Sequence, residues 1–573
     1  MALDTPPASD TDALIAALRA AAPRSVLTAA RETSRYRRSF RGAEGEAVAV
    51  VRPTSLLQMW RVLEACVAHD AIVIMQAANT GLTNGSTPDV GGYDRPVVVI
   101  NTLKLDGIQL LDGGKQVISL PGGTLYRLEQ LLKPLGREPH SVIGSSCVGA
   151  SIVGGVCNNS GGSLVRRGPA YTELSLYAQL GQDGRLELVN HLGIRLGSTP
   201  EEILTRLQNR DYAPADIEYD TGLASDSRYA QTVREIDEPS AARFNADPSR
   251  LHEASGSAGK LAVFAVRLDT FAAEENETVF YVGTNDPAVL TDLRRRLLGR
   301  MKSLPVAGEY MHRDMFDACR RYGKDTFMLI HYLGSDVMPK FFALKGRLDG
   351  YLDGVSFLPK RLVDRIVQGL SRLWPEMLPK RMLDYRDRYE HHFMLKVAGD
   401  GVAEAAAILE ELFVDAEGSY FRCTEDEGQR AFLHRFAAGG AVARYAIMND
   451  RSVEGILPLD VALRRNEQDW FVRFPPGIEE KLAAKLYCAH FLCHVFHLEY
   501  AVKKGVDIAA LKEEMLAYLD ARGAQYPAEH NVGHLYKAPP AQAAFFQRLD
   551  PVNAFNPGIG KTTKRRNWGL ANS

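Results

Sequence analysis

No Cys-x-x-Cys pair occurs among the seven cysteines, at positions 66, 147, 157, 319, 423, 488 and 493. An odd number without paired spacing points to reduced thiols in a cytosolic setting. An excess of either charge is also missing. The 68 Lys and Arg residues nearly balance 70 Asp and Glu, for a net charge of −2, which excludes a globally basic nucleic-acid binder and leaves room only for a local basic patch. No apolar run reaches the ~20 residues a membrane-spanning helix needs; the most apolar long run, 486–502, carries His490, His494, His497 and Glu499. The first residues lack a basic region followed by an apolar core, so no secretory leader is expected. What is present is ordinary for a folded chain: 46% hydrophobic and 24% charged residues over 573 positions, enough for two or three domains.

Two nucleotide signatures are absent as well. No G-x-G-x-x-G follows a first strand with an acid about 20 residues later, and there is no G-x-x-x-x-G-K-[ST] phosphate loop. The chain nevertheless alternates strands and helices. A strand at 47–51 is stopped by Arg52-Pro53-Thr54-Ser55, which caps a helix with Leu56, Met59, Trp60, Leu63 and Val67 on its buried face. A strand at 72–75 runs into residues 76–88, a loop of small polar residues without Lys or Arg. Such a loop can hold a diphosphate only through backbone amides and hydroxyls, which Thr80, Gly81, Gly85 and Ser86 supply. Strands at 97–100 and 117–120 follow, the second ended by Pro121-Gly122-Gly123-Thr124 before a helix. The stretch 142–162 contains six glycines, no charge, and otherwise small or β-branched residues. Taken alone it suits either a cradle for a flat, polar ligand or a tightly packed buried turn.

The order Arg-Pro-Thr, Ala-Ala-Asn-Thr-Gly-Leu-Thr, Pro-Gly-Gly-Thr-Leu and Gly-Ala-Ser-Ile-Val-Gly-Gly-x-x-Asn-Asn-Ser-Gly-Gly resembles the FAD-binding domain of flavoenzymes of the vanillyl-alcohol-oxidase type. Glu529-His530-Asn531-Val532-Gly533-His534, Asp550-Pro551 and 556–561 agree with it. Within that superfamily, residues 137–147, 308–314 and 528–537 are similar to the bacterial quinone-dependent D-lactate dehydrogenases, along essentially the whole chain. The resemblance implies an α+β protein: a two-subdomain FAD-binding domain at 1–268, an α+β cap at 269–515 with a largely helical, basic membrane-binding insertion at about 311–388, and a C-terminal return at 516–573. It implies FAD contacts from Ala77, Ala78, Asn79, Thr80 and Gly81, from Gly85 and Ser86, and from Gly144, Ser151, Gly161 and Val263. Covalent attachment in the superfamily uses a His or Cys in the first loop or a Cys further on. Residues 76–88 hold neither, so non-covalent FAD is expected.

The strand at 260–268 closes the first domain, and 279–283 opens a cap that includes 393–397. Residues 311–388 hold fifteen Lys and Arg against ten Asp and Glu. Lys360, Arg361, Arg365, Arg372, Lys380 and Arg381 alternate there with Phe357, Leu358, Trp374, Met377, Leu378 and Met382. From charge alone this is either a solvated helical face or a surface for an anionic phospholipid bilayer. The resemblance implies the second, with a membrane quinone as electron acceptor, at the cytoplasmic face of the bacterial inner membrane. No groove-reading motif supports a nucleic-acid partner.

Oxidising D-lactate, the substrate the resemblance implies, requires a hydride acceptor, a base for the hydroxyl proton and a cation for the carboxylate. His530 is the expected base, with Glu529 orienting it. His391 and His392 adjoin on a strand, so one of them reaches the pocket, and His391 is taken as the candidate. Arg435 or Arg313 is the expected carboxylate anchor, since a guanidinium matches two oxygens. A metal is not expected: Gly399-Asp400-Gly401 lacks the flanking histidines of the metal motif in some related dehydrogenases. His490, His494 and His497, at i, i+4 and i+7, are read as lining the cap or its core from a helix. Another D-2-hydroxy acid, such as 2-hydroxyglutarate or glycolate, and a nucleotide- or membrane-binding protein without turnover are the rival readings.

Overall fold

Polar punctuation sets the first α/β unit. Ser55 Oγ accepts the Gln58 backbone N–H at 3.1 Å and starts helix α1 (Leu56–Ala68), which buries Leu56, Met59, Trp60, Val62, Leu63 and Cys66. That face lies on a four-stranded sheet of β1 (Val26–Leu27), β2 (Ala49–Val51), β3 (Ile72–Gln76) and β4 (Val97–Asn101), in the order β1-β2-β4-β3. Strands β2 and β3 run parallel to β4. Nearly every residue of the three is buried, as expected for parallel strands covered on both faces. The structure, a computed structural model, describes residues 8–39, 42–141, 149–334, 341, 348, 361–371 and 373–569.

A second sheet is wholly antiparallel. It holds β5 (Ile108–Leu111), β6 (Gln116–Ser119), β7 (Ser175–Leu180), β8 (Leu186–Asn190) and β9 (Ala262–Asp269), ordered β5-β6-β9-β7-β8. Helix α2 (Leu125–Leu132) starts at Thr124, and the short α3 (Ile152–Cys157) at Ser151; both caps accept a backbone N–H. The C-terminal segment returns to the first sheet. Val73 N–H donates to Ala554 O and Asn556 N–H to Val73 O, both at 2.9 Å, while buried Lys260 donates to Asn553 Oδ1 at 2.6 Å.

The third sheet has seven antiparallel strands: β10 (Thr278–Thr284), β11 (Ala307–His312), β12 (His391–Val397), β13 (Ser419–Arg422), β14 (Val453–Ala462), β15 (Leu482–His490) and β16 (Val495–Lys503), ordered β13-β10-β12-β11-β15-β16-β14. One hydrophobic cluster, including Tyr310, Phe393, Trp470 and Phe496, and a second, including Met311, Phe316, Met382 and Met394, pack against it. The helical reading of His490, His494 and His497 is overturned. They belong to the β15–β16 hairpin, whose tight turn at 491–493 ends with His494 at φ +53°. Because His490 pairs with Val495, His497 lies two residues along on the same face, and the two rings sit 5.0 Å apart.

Between β11 and β12 the described residues form helices α4 (Arg313–Tyr322), α5 (Lys324–Leu333), α6 (Leu362–Ser371) and α7 (Lys380–Arg388). Two more, α8 (Glu425–Phe436) and α9 (Ala438–Met448), follow β13. The apolar residues expected to alternate with the basic ones at the surface need correction, whereas Lys380 and Arg381 remain exposed. Met377, Leu378 and Met382 are core residues, Lys380 pairs with Asp384 at 2.8 Å, and Arg381 pairs with Glu427 at 2.9 Å. Phe357, Leu358, Lys360 and Arg372 lie outside the described residues.

Candidate active site

The uncharged loop leaves β3 at Gln76, whose buried amide donates to Tyr36 O and Ser86 O at 2.8 Å each, while Asn101 holds Ala77 O at 2.9 Å. Asn79, at φ +56°, accepts the Ser86 hydroxyl at 2.9 Å. Ala77 to Gly81, Gly85 and Ser86 therefore form one closed turn. A Cβ at Gly81 would meet nothing within 4 Å, so that side of the loop is open. Gly533 closes the other side. Its φ is +54° and a side chain there would collide with the Thr83 carbonyl, which accepts the His534 N–H at 3.0 Å.

In the second glycine-rich stretch, Ser151 Oγ caps α3 by accepting Gly154 N–H at 3.1 Å, and Val263 is buried beside a bulge in β9. At Gly161 a Cβ would strike the Glu529 carboxylate and the Arg243 side chain; glycine there lets a buried ion pair touch the loop. Gly144 lies outside the described residues. Asn245 has both side-chain polar atoms buried without a partner. Its backbone connects the two segments: its O accepts Asn159 Nδ2 at 3.1 Å and its N–H donates to Ala528 O at 2.9 Å. An orphaned amide at this junction, with uncharged loops around it, fits a large polar ligand held by neutral donors.

His530 stands at the edge of this junction, with its side chain 31% exposed. Its Nδ1 lies 2.6 Å from Asp460 Oδ2 on β14, and the same oxygen accepts the Glu529 and His530 backbone N–H groups at 2.8 and 3.2 Å. Asp460 is buried, which pushes its carboxyl pKa upward. His530 and hydrogen bonds from His497 and His530 outweigh that effect and hold it well below the carboxylate range. A neutral His530 donating through Nδ1 carries its lone pair on Nε2, the arrangement a base requires. The orienting carboxylate is thus Asp460 rather than Glu529, because the Glu529 side chain turns away to a different partner.

That partner is Arg243, whose Nη1 donates to Glu529 Oε1 at 2.6 Å. On the other side, Glu529 Oε2 lies 3.4 Å from His490 Nε2, and His490 Nδ1 is 2.7 Å from Glu309 Oε1. Burial would lower the His490 pKa, but Glu309 and Glu529 raise it to about 10, so the ring is cationic. Burial raises and His490 with Arg243 lowers the Glu529 pKa, to about 2. His497 Nδ1 lies 3.2 Å from Asp460 Oδ1, and burial lowers its pKa, leaving it neutral. Ligand atoms of His490, His497 and Glu529 lie within 4.8 Å of one another, the spacing of a metal site with Glu309 and Asp460 behind the two rings, but a metal would bind there only by displacing the Nε2 proton of the cationic His490.

Arg435 joins the group from α8. Its Nε is 3.0 Å from Glu309 Oε2, and its Nη2 is a buried donor without a partner. Arg313 instead pairs with Glu390 at 2.9 Å at the far end of β11. His391 is not brought to the site. It stands opposite His312, on the sheet face of Tyr310, whereas Glu309 points to the other face. Its Nδ1 lies 2.8 Å from Tyr310 OH, and it packs against Trp470 and Phe471; burial lowers its pKa to about 3. Asp460, Arg243 and Glu309 had no local signal, since each is a single charged residue within an ordinary strand or loop.

Residues 47–178 match the family model described as FAD binding domain, and residues 279–568 match that described as D-lactate dehydrogenase, membrane binding. The quinone-dependent D-lactate dehydrogenase of Escherichia coli K12 is 59% identical over 543 residues, covering 95% of each chain. That of Corynebacterium glutamicum is 44% identical over 545 residues, again 95% of each. The fold is similar to p-cresol methylhydroxylase (TM-score 0.58, 12% identity, 97% of each chain) and to alkyldihydroxyacetonephosphate synthase (TM-score 0.53, 10% identity, 93% of this chain and 82% of that one). With an FAD-binding domain at its N-terminal side and these relatives along nearly its full length, the chain belongs to the family of quinone-dependent D-lactate dehydrogenases.

Proposed function

We propose that this protein oxidises D-lactate to pyruvate and delivers the electrons to a membrane quinone. The observation that carries the chemistry is the Asp460–His530 pair at the junction between the neutral loops and the third sheet, with Arg435 nearby in the Glu309 group. Bound FAD supplies the hydride acceptor. His530 Nε2 takes the hydroxyl proton, Asp460 keeps the ring in the accepting tautomer and stabilises the imidazolium that forms, and the unpartnered Nη2 of Arg435 holds the substrate carboxylate. Cationic His490 adds positive potential for the anion while remaining hydrogen-bonded to Glu309. Residues 77–81, 85, 86, 144, 151, 161 and 263 are the proposed FAD contacts, and the division at 268 and 515 into FAD domain, cap and return belongs to the same reading.

Among the described residues no helix is long and apolar enough to cross a membrane. Peripheral attachment to the cytoplasmic face of the inner membrane, on anionic phospholipid and without a nucleic-acid partner, completes the proposal.

An anaerobic titration tests it. D-lactate bleaches the yellow protein and L-lactate does not; 2-hydroxyglutarate and glycolate run in parallel locate the substrate within the 2-hydroxy acids. A colourless protein, or bleaching by either enantiomer alike, refutes the reading. Gly533→Ala tests the cofactor loop. The positive φ alone costs about 1–3 kcal/mol, and the collision with Thr83 O displaces the loop. The variant is therefore expected to purify with a flavin-to-protein ratio well below the wild type, as read from visible absorbance.

A further inference from the structure

Helix α6 is inside out. Asp364, Gln368 and Ser371 form its buried side, while Ile366 and Leu370 are each 52% exposed and Leu373, in the turn that follows, is 83% exposed. At 100° per residue, Ile366, Leu370 and Leu373 fall within an arc of about 60°, and Asp364 and Gln368 lie roughly opposite. Gly369, on the same exposed side, would offer a Cβ to nothing within 4 Å.

The buried polar side has its own partners. Arg444 of α9 lies 3.3 Å from Asp364 Oδ1 and also pairs with Asp325 of α5. Gln368 Nε2 donates to Arg321 O at 2.9 Å, and Ser371 Oγ donates to Gln368 O at 2.8 Å. Rolling the helix over to hide its leucines would take Asp364 away from the buried Arg444 guanidinium and Gln368 away from the Arg321 carbonyl, leaving Arg444 with Asp325 alone, a cost that opposes burial of a few apolar side chains. The orientation is therefore locked. Lys324 at the start of α5 donates to Trp374 O after the end of α6, at 3.2 Å, so the two helices run antiparallel. Tyr332 and Leu333, 65% and 61% exposed, extend the apolar surface at the opposite end.

We propose that α6 lies in the plane of a lipid bilayer and sinks Ile366, Leu370 and Leu373 into the boundary between headgroups and acyl chains. A ten-residue helix is about 15 Å long, too short to span and suited to lying flat. Arg365, about 110° round the helix from the centre of this face, pairs with Asp450 and lies at its edge, where a long cationic side chain can reach the headgroup level. The occupant is lipid rather than a second copy of the chain. The model that matches residues 279–568 is described as membrane binding, and five side chains fall well short of the ~800 Å² per partner of a stable interface. The proposal rests on the membrane association above and adds an apolar anchor to an attachment so far argued only from charge.

Flotation of the full-length flavoprotein with phosphatidylcholine vesicles, and with vesicles containing phosphatidylglycerol, tests it at 0.1 M and 1 M NaCl. Wild type is expected to float with both, and to remain bound at high salt where headgroup attraction is screened. The triple variant Ile366→Glu, Leu370→Glu and Leu373→Glu changes only exposed positions, and its flavin content and anaerobic bleaching serve as the folding control. Its partitioning is expected to fall on the order of 100-fold on both vesicle types, and the serine version by less. Full release of wild type by 1 M NaCl, or a triple variant that floats like wild type, overturns the anchor while leaving membrane association standing. Wild type that floats with no vesicle overturns both. A dimer that the triple substitution splits, seen by light scattering, also overturns it, because the face would then cover a second copy.

Discussion

In the His530→Ala protein, reduction of the bound flavin by D-lactate is expected to slow by about 100- to 10,000-fold, the usual contribution of a positioned base. FAD should stay bound. Asp460→Asn separates the two halves of the pair. The asparagine carbonyl takes the place of the oxygen that also accepts the Glu529 and His530 N–H groups, so Nδ1 keeps its proton, but the charge that stabilises the imidazolium is lost and kcat falls although the base is still present. KM is expected to move less than kcat in both variants, because neither residue anchors the carboxylate. Arg435→Lys reverses this pattern, since Lys replaces a two-pronged donor with a point charge and chiefly raises KM. Stopped-flow bleaching under anaerobic conditions measures each. Near-normal reduction in His530→Ala would remove the base assignment, and a kcat loss confined to Asp460→Asn would point to a different proton acceptor held by the same carboxylate.

The early α/β units were legible because their signals are local. Ser55 and Thr124 cap the helices their positions announce, and the Val- and Ile-rich runs at 49–51, 72–76 and 97–101 are buried parallel strands. Composition singled out the two loops, since a turn without Lys or Arg has little besides backbone to offer an anion, and their contacts with FAD remain part of the proposal. The hairpin carrying His490 and His497 was not. Its apolar residues fit a helical period as well as an alternating one, and only the β-branched and aromatic bias, with Tyr487, Val495, Phe496, Tyr500 and Val502, argued for strands. The proposed catalytic group was the least legible part. Asp460 and His530 are 70 positions apart and Arg243 and Glu529 are 286 apart, so these pairs exist only after the third sheet has assembled. His391 failed for the same reason: adjacency to His392 showed that one would point inward, but which face of the sheet carries Glu309 is set by register with β11 and β15.

Arg243→Met is expected to be the most destabilising of the single substitutions considered, by about 3–5 kcal/mol in denaturant unfolding, the cost of removing one partner from a buried ion pair. Arg243 is almost wholly buried. Besides Glu529 it donates to the carbonyls of Gly162 and Leu164 and to Tyr229 OH, so the variant strands a carboxylate and loosens the stretch beside Gly161. The pH dependence identifies which loss dominates. Glu529 is held near 2 against an ordinary 4.5, so its contribution is present above 4.5 and is lost as pH falls toward 2. His490 is held near 10 against 6.5; its contribution is full below 6.5 and is lost as pH rises toward 10. Without Arg243 the Glu529 carboxyl rises toward its ordinary range, and the gap between variant and wild type should shrink as pH falls from 6 to 4. Glu529→Gln removes the charge at source, so adding it to Arg243→Met should cost less than the two single effects combined, a coupling of about 0.5–3 kcal/mol. Strict additivity, or a gap that does not change with pH, would mean that the backbone contacts of Arg243 rather than its ion pair hold the loop in place.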